Sequence, residues 1–332
     1  MKITVLGAGS WGICLAFILA RNGHAVTCWT TKEKLVQIAK EEGVHPRFPE
    51  YFLPENLTLS TDLNEAVKDT GLIVESVTAS GLRSVVEKLF ALGIPKCPFV
   101  ITSKGIERNT HKILPDVVVD VFGEKFKDQT GILSGPSYAD EVIKGLPTSV
   151  VATAYAQEVS ALIVEAFSNS LFRVYPNSDP LGVAFGGALK NVIAIACGIS
   201  AGLNYGHSAM ASLMTRGLHE IRKLAIANGC KGETINGLAG MGDLFLTCSS
   251  RLSRNFRFGE LLASDYSREE ALEKIGMVVE GAYTCEAALQ ISQKQQIPMP
   301  ITEMVYRIIY ENLKPSDTVK LLMQRVVKEE HL

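Results

Sequence analysis

The first thirty residues constrain this chain more than any other segment. Lys2-Ile-Thr-Val-Leu6 is a short apolar run stopped by Gly7, and residues 13–20 are almost all apolar or small before Gly23. A second β-rich run, Ala25-Val-Thr-Cys-Trp29, follows closely. The pattern reads strand, glycine turn, buried helix, strand, which is a βαβ unit with a right-handed crossover. Between the first strand and the helix stands Gly7-Ala-Gly-Ser-Trp-Gly12. In that context a G-x-G-x-x-G permits a tight turn and lets a pyrophosphate approach the backbone N–H groups of a helix start. Gly7, Gly9, Ser10, Trp11 and Gly12 are therefore candidate cofactor contacts, with a plain core position as the alternative for Trp11.

Further strand runs at 72–76, 99–102, 131–133, 149–152 and 171–174 alternate with helical stretches such as 81–92. That alternation predicts an α/β fold, a Rossmann-like doubly wound, mostly parallel sheet. Near Pro180 the texture changes, and from Val183 onward long helical patterns are separated by Gly-rich joints with no new strand. A length of 332 residues suits two domains. The expected division is an NAD(P)-binding domain over 1–180 and an all-helical substrate and catalytic domain over 181–332.

Composition narrows the function classes. With 47% hydrophobic and 20% charged residues the chain is globular, not disordered. A net charge of -2 without a dense Lys/Arg run removes nucleic acid and polybasic membrane surfaces as expected partners. The seven cysteines are scattered and contain no C-x-x-C pair, which suits reduced thiols and no metal site. The N-terminus enters a strand pattern directly and no uninterrupted apolar stretch reaches the roughly 20 residues of a membrane-spanning helix. A cytoplasmic protein without integral membrane insertion is the expectation.

The second strand ends in Trp29-Thr-Thr-Lys-Glu33, with no acid at the strand end to take the ribose hydroxyls of NAD. Thr31 and Lys32 can hydrogen-bond and charge-pair a 2′-phosphate, which favours NADP(H) over NAD(H). Glu33 keeps NAD(H) in play, and Lys32 also suits a solvated helix start.

Four polar clusters remain. Lys104 follows the strand at 99–102 and precedes Gly105, at the carboxyl edge where open α/β sheets bind ligands, although a chance loop lysine fits the same pattern. Ser134-Gly-Pro-Ser137 precedes Ala139-Asp-Glu-Val142, so the turn around Gly135 and the Ser137 hydroxyl could grip an oxyanion or phosphate, or Ser137 could serve as a plain N-cap. Lys190 and Asn191 interrupt an apolar, small-residue helix over about 184–201. Burial and a neighbouring cation such as Lys104 would lower the pKa of Lys190 and tune it to exchange a proton with a substrate oxygen, unless Lys190 snorkels to the surface. Lastly, Gly237-Leu-Ala-Gly-Met-Gly-Asp-Leu-Phe-Leu-Thr-Cys248 and Ser253-Arg-Asn255 supply an acid and a cation. Asp243 could orient Lys190 or a substrate hydroxyl while Arg254 and Asn255 take a phosphate; a capped loop entering a helix over 255–263 is the alternative.

Taken in order, these motifs closely resemble the bacterial NAD(P)-dependent sn-glycerol-3-phosphate dehydrogenase family. The matching segments are GAGSWG at Gly7, SKGIE at Ser103, SGPSYADEV at Ser134, GGALKNV at Gly186, TRGLHEIRK at Thr215, GLAGMGDLFLTC at Gly237, SSRLSRNFRFG at Ser249 and VVEGAYT at Val278. The resemblance implies reversible reduction of dihydroxyacetone phosphate to glycerol 3-phosphate for phospholipid synthesis, with Lys190 transferring the proton and Lys104 stabilising the developing charge. It implies cofactor contacts from Ser10, Trp11, Thr31, Lys32, Phe48, Lys104, Ala139, Arg254, Val278 and Glu280. Substrate contacts would come from Lys104, Gly135, Ser137, Lys190, Asp243, Ser253, Arg254 and Asn255.

The chain departs from the family pattern at Thr31, where an Arg or His is usual, at Tyr205-Gly-His-Ser-Ala209, and at Val77-Thr-Ala-Ser80 in place of Pro-Ser. A β-hydroxyacid dehydrogenase of the same architecture is the competing enzyme class, but a carboxylate substrate would not need the Ser253-Arg-Asn255 cluster. A nucleotide-binding sensor is disfavoured because a buried lysine in an apolar helix is costly without a use. Apolar faces in the helical half suggest a homodimer.

Overall fold

A computed structural model describes residues 1–326 and 329–330. The chain forms two compact units, Met1–Ser103 with Leu114–Pro180, and Lys104–Ile113 with Leu181–Leu332.

The first unit is built on β1 (Lys2–Leu6), β2 (Ala25–Trp29), β3 (Val44–His45), β4 (Phe48–Phe52), β5 (Leu57–Ser60), β6 (Leu72–Glu75), β7 (Phe99–Ile101), β8 (Thr130–Ser134), β9 (Thr148–Ala154) and β10 (Phe172–Asn177). Eight of these make one sheet in the order β10-β9-β8-β7-β6-β1-β2-β5, and β3 and β4 form a separate antiparallel pair. Every neighbouring pair in the large sheet is parallel except β8 and β9. Leu6 is in register with Trp29 on one side and Glu75 on the other, so the winding direction reverses at β1. Open α/β sheets bind ligands at the carboxyl ends of strands on either side of such a reversal.

β6, β7 and β8 are buried at every position, which is why they read as continuous apolar runs instead of alternating ones. The helix Ser10–Arg21 is likewise buried from Gly12 to Ala20. The expected doubly wound sheet is thus present, and β1 and β2 have the expected bounds. β3, β4 and β5 were not anticipated. They are short, β4 is largely exposed, and prolines break the segment, so only the four-residue alternation of β5 (Leu57 and Leu59 buried, Thr58 exposed) offers a period.

The second unit is helical. Its long members are Pro180–Gly202, Gly206–Ala227, Arg254–Ala263, Glu280–Lys294 and Pro300–Tyr310. Pro180–Gly202 is long and apolar enough to cross a bilayer by composition, yet almost all of it is buried inside the unit as a core helix. Residues 104–113 group with this unit and not with the contiguous N-terminal half expected from the sequence. Ile106 and Ile113 form an isolated antiparallel bridge and are buried in the helical core. A ten-residue excursion anchored by two isoleucines leaves no periodicity to read.

One buried carboxylate fixes helix order here. Glu220, on Gly206–Ala227, accepts the backbone N–H groups of Ile301 (2.6 Å) and Thr302 (3.1 Å) and the Thr302 hydroxyl (3.1 Å), capping Pro300–Tyr310 from outside that helix. Burial pushes its pKa up to about 7 against these hydrogen bonds. Between the ordinary carboxylate range and pH 7 the folded state therefore holds more protons here than the unfolded chain, and this residue's contribution to stability falls as pH rises through that window. At pH 7, Glu220→Ala should cost about 1–3 kcal/mol for each N–H left without an acceptor. Chemical denaturation should show this as a lower midpoint with an unchanged slope; an unchanged midpoint would contradict the capping role.

Candidate active site

The glycine turn after β1 is closed on one side and open on the other. A Cβ placed on Gly12 would lie 1.9 Å from the Gly7 carbonyl oxygen, whereas one on Gly9 would meet no atom within 4 Å. Glycine is thus required at position 12 by the turn itself, while position 9 leaves a clear approach to the backbone. No side chain caps the helix Ser10–Arg21, so its first-turn N–H groups are left for a ligand or water. Those features fit a dinucleotide pyrophosphate. Ser10 is half-buried, and Trp11 packs part of its ring on the core of this unit, in keeping with its core alternative.

Around this turn the remaining candidates of the first unit take definite places. Thr31 and Lys32 are exposed beyond the end of β2, where Lys32 starts the helix Glu33–Glu42. Phe48 is buried in β4. Ala139 begins the short helix Ala139–Val142, and its carbonyl accepts a weak bond from the Cys14 thiol (3.7 Å). Ser137 donates to the Gly135 carbonyl at 3.2 Å, and Tyr138 holds the N-cap position, so the N-cap alternative for Ser137 is not realised.

Three residues of this unit escaped sequence reasoning. His45 bonds the Ala8 carbonyl through Nε2 (3.1 Å) and accepts the Arg47 N–H at Nδ1 (3.2 Å), an arrangement that puts its proton on Nε2. Arg47 reaches Ser10 and Asp140. Glu75, wholly buried at the end of β6, accepts the Val77 N–H (2.7 Å) and the Ser103 hydroxyl (2.7 Å), tying together the loops after β6 and β7. Burial raises its pKa to about 7 in spite of those bonds.

The second unit holds the densest polar cluster. Asp243 opens the helix Asp243–Cys248 directly after a π-helical turn at Leu238–Gly242, a distortion that recurs at functional sites. That turn lies tight against Pro180–Gly202, since a Cβ on Gly186 would be only 2.7 Å from the Ala239 carbonyl oxygen. Lys190, one turn beyond Gly186, thereby comes beside Asp243. Lys190 Nζ donates to Asp243 Oδ1 and to Thr247 Oγ1 (2.8 Å), and Lys104 Nζ donates to Asp243 Oδ2 at 2.6 Å. Thr247 in turn donates its hydroxyl hydrogen bond to the Asp243 backbone carbonyl (2.6 Å). The side chains of Asp243 and Lys190 are 2% and 8% exposed, that of Lys104 20%. Burial lowers the pKa of Lys190 to about 8; Asp243 opposes the shift and Lys104 adds to it. Two of the three ammonium donors of Lys190 are engaged by Asp243 and Thr247, and the third takes part in neither bond. The expected burial, the neighbouring cation and the orienting acid are all present, whereas Thr247 was not foreseen.

A second polar group lies along the same helix. Asn255 donates to Asn191 Oδ1 (3.0 Å) and accepts the Gly281 N–H (2.9 Å) at the start of Glu280–Lys294, leaving one amide hydrogen outside these bonds. Ser253 accepts the Phe256 N–H at 3.2 Å and is the N-cap of Arg254–Ala263, so the capped-helix alternative holds for Ser253. Arg254 is half-buried, and desolvation lowers its pKa, with Glu280 opposing and Arg257 reinforcing the shift. Val278 is half-buried just ahead of Glu280.

A glycine turn suited to a dinucleotide and, in the other unit, a buried lysine–aspartate–lysine cluster are features of a dinucleotide-dependent oxidoreductase. Comparison with known proteins makes this specific. Residues 2–160 match the N-terminal model, and residues 179–320 the C-terminal model, of NAD-dependent glycerol-3-phosphate dehydrogenase. Glycerol-3-phosphate dehydrogenase [NAD(P)+] of Protochlamydia amoebophila is 60% identical over 331 residues, covering 100% of this chain and 99% of that protein. Its counterpart in Chlamydia pneumoniae is 51% identical over 99% of both chains. The crystal structure of glycerol-3-phosphate dehydrogenase from Coxiella burnetii matches with a TM-score of 0.92 at 38% identity, covering 98% of this chain and 99% of that one. The chain belongs to the NAD-dependent glycerol-3-phosphate dehydrogenase family.

The two glycines separate fold from binding. Gly12→Ala should destabilise the first unit by about 1–3 kcal/mol through overpacking, visible as a drop of several degrees in thermal midpoint. Gly9→Ala should leave the midpoint unchanged and weaken dinucleotide binding. Equal losses of stability in both variants would contradict this division.

Proposed function

We propose that this chain catalyses the reversible reduction of dihydroxyacetone phosphate to sn-glycerol 3-phosphate, with NADP(H) preferred over NAD(H). The observation that carries the reading is the buried Lys190–Asp243–Lys104 cluster. When bound, the reduced nicotinamide supplies the hydride to C2. Lys190 gives a proton to the C2 oxygen as charge develops there, so the carbonyl becomes a secondary alcohol and the lysine a neutral amine that water reprotonates. With a pKa near 8, Lys190 holds both forms within reach of neutral pH, and in the oxidative direction the amine takes the hydroxyl proton. Asp243 fixes the lysine's orientation, and Lys104 stabilises the developing alkoxide.

Arg254 binds the substrate phosphate through its planar guanidinium, and the remaining Asn255 amide hydrogen assists. Held by a phosphate remote from C2, the substrate keeps its carbonyl in a reactive position. Gly135, Ser137 and Ser253 complete the substrate contacts, and Ser10, Trp11, Phe48, Ala139, Val278 and Glu280 those of the cofactor. The absence of an acid at the end of β2, together with the exposed Lys32, supports NADP(H). The same reading places the enzyme in the cytoplasm, where seven buried cysteines without disulfides stay reduced, as a homodimer without a metal requirement.

Initial rates of NADPH and NADH oxidation with dihydroxyacetone phosphate test this. Wild-type kcat in the reductive direction should fall as pH rises through about 8, because the donor must be protonated. Lys190→Ala should lose roughly a hundredfold or more in kcat. Arg254→Ala should act on KM for the phosphate ester, by about ten- to a hundredfold, as expected for a charge-assisted contact of 1.5–3 kcal/mol. Folded wild-type protein that binds NADPH but turns over no dihydroxyacetone phosphate would overturn the assignment.

A further inference from the structure

Arg47 has no role in the chemistry above, yet it reaches into the nucleotide-binding turn. Its Nη2 donates to both carboxylate oxygens of Asp140, at 2.7 and 2.9 Å, and its Nε donates to Ser10 Oγ at 3.3 Å. The guanidinium carbon stands 5.4 Å from the centroid of the Phe48 ring. Neither hydrogen on Nη1 takes part in these bonds, so a pair of donors remains on a guanidinium already fixed in place. The backbone is fixed too, because the Arg47 N–H is held by His45, whose other ring nitrogen bonds the Ala8 carbonyl inside the glycine turn. Despite that anchoring, Arg47 is half exposed, as suits a group that meets a ligand and not a purely internal one.

Charge says which part of the cofactor this arginine suits. Beyond β2 the exposed segment runs Thr31-Lys32-Glu33-Lys34, where the acidic Glu33 offsets one of the two lysines, against a phosphate that carries close to two negative charges. Lys32 lies near enough to His45 for its charge to disfavour the protonated imidazole, after burial and against the Ala8 hydrogen bond, so Lys32 and the β3–β4 hairpin share one side of the turn. Arg47 stands on that same hairpin. Arg47 thus adds a cation on the hairpin that adjoins the glycine turn, and the planar fork of arginine matches phosphate oxygens better than a second lysine would.

We propose that Arg47 is a specificity-determining residue that, together with Lys32, binds the 2′-phosphate of NADP(H), its guanidinium held in place by Asp140 and Ser10. The proposal rests on the NADP(H) preference inferred above. Binding, read without turnover, tests it. Dissociation constants for NADPH and NADH, and for 2′,5′-ADP against 5′-AMP, would be measured by isothermal titration calorimetry on the full chain. The proteins compared would be wild type, Arg47→Ala, the longer neutral Arg47→Gln, and Lys32→Ala, with thermal midpoints confirming folding. Wild type should bind NADPH more tightly than NADH. Both Arg47 variants should weaken NADPH and 2′,5′-ADP about tenfold or more while moving NADH and 5′-AMP less than twofold. Equal weakening of both members of each pair would overturn the proposal and make Arg47 a pyrophosphate or turn-holding residue. An unchanged NADPH to NADH ratio in variants of a wild type that prefers NADPH would overturn the Arg47 role alone, as a clasp to Asp140 only. A wild type without NADPH preference would remove the underlying reading and the proposal with it.

Discussion

One carboxylate shared between two ammonium groups is the interaction on which the second unit depends. Asp243 sits almost entirely out of water, and so does Lys190. A charge there is tolerable only with partners of opposite sign and with its remaining hydrogen bonds filled. Lys104 and Lys190 take one oxygen each, and Thr247 closes the far side of Lys190. With both lysines protonated the cluster carries one positive charge in excess. Burial is what lowers the Lys190 pKa to about 8: loss of hydration outweighs the support of Asp243 for the charged form, and Lys104 adds to the fall.

The backbone around the cluster follows from that demand. Small residues let the π-helical turn at Leu238–Gly242 lie against Pro180–Gly202, and that close approach brings the Asp243 helix start to Lys190. Next door, Asn255 donates to Asn191 and accepts an N–H at the start of a further helix, so the polar face of Pro180–Gly202 is bonded into its surroundings and not merely buried. The first unit solves a different problem by similar means. There the glycine turn brings backbone N–H groups within reach of an anion, and the β3–β4 hairpin hooks onto it through His45 and Arg47. In both units, close backbone approach comes first and functional polar groups are then placed by it.

Much of this was legible in the sequence because its signals are local. Buried parallel strands read as apolar runs, the glycine motif lies between strand and helix, and Lys190 stands alone in an apolar helix. The proximity of Lys190, Lys104 and Asp243 was also within reach, since few partners existed for a buried lysine. What escaped depends on contacts between distant segments. Residues 104–113 join the helical unit through two isoleucines, β3 and β4 carry no period and β5 only four residues of one, and Tyr138, not Ser137, takes the N-cap. His45, Arg47 and Glu75 acquire meaning only once the hairpin and the loops after β6 and β7 are in place. Glu75 in particular looks like an anomaly within a strand until the donors from the loops after β6 and β7 are seen.

The most direct test is the proton affinity of Lys190 itself, followed by NMR titration of its Nζ in the wild-type chain and in Asp243→Asn. A buried lysine in an overcharged cluster should titrate near pH 8 in wild type. It should move lower still in Asp243→Asn, because the carboxylate is the main group favouring its charged form. A Lys190 that titrates at the ordinary lysine value, or one whose titration does not fall when Asp243 loses its charge, would contradict the account.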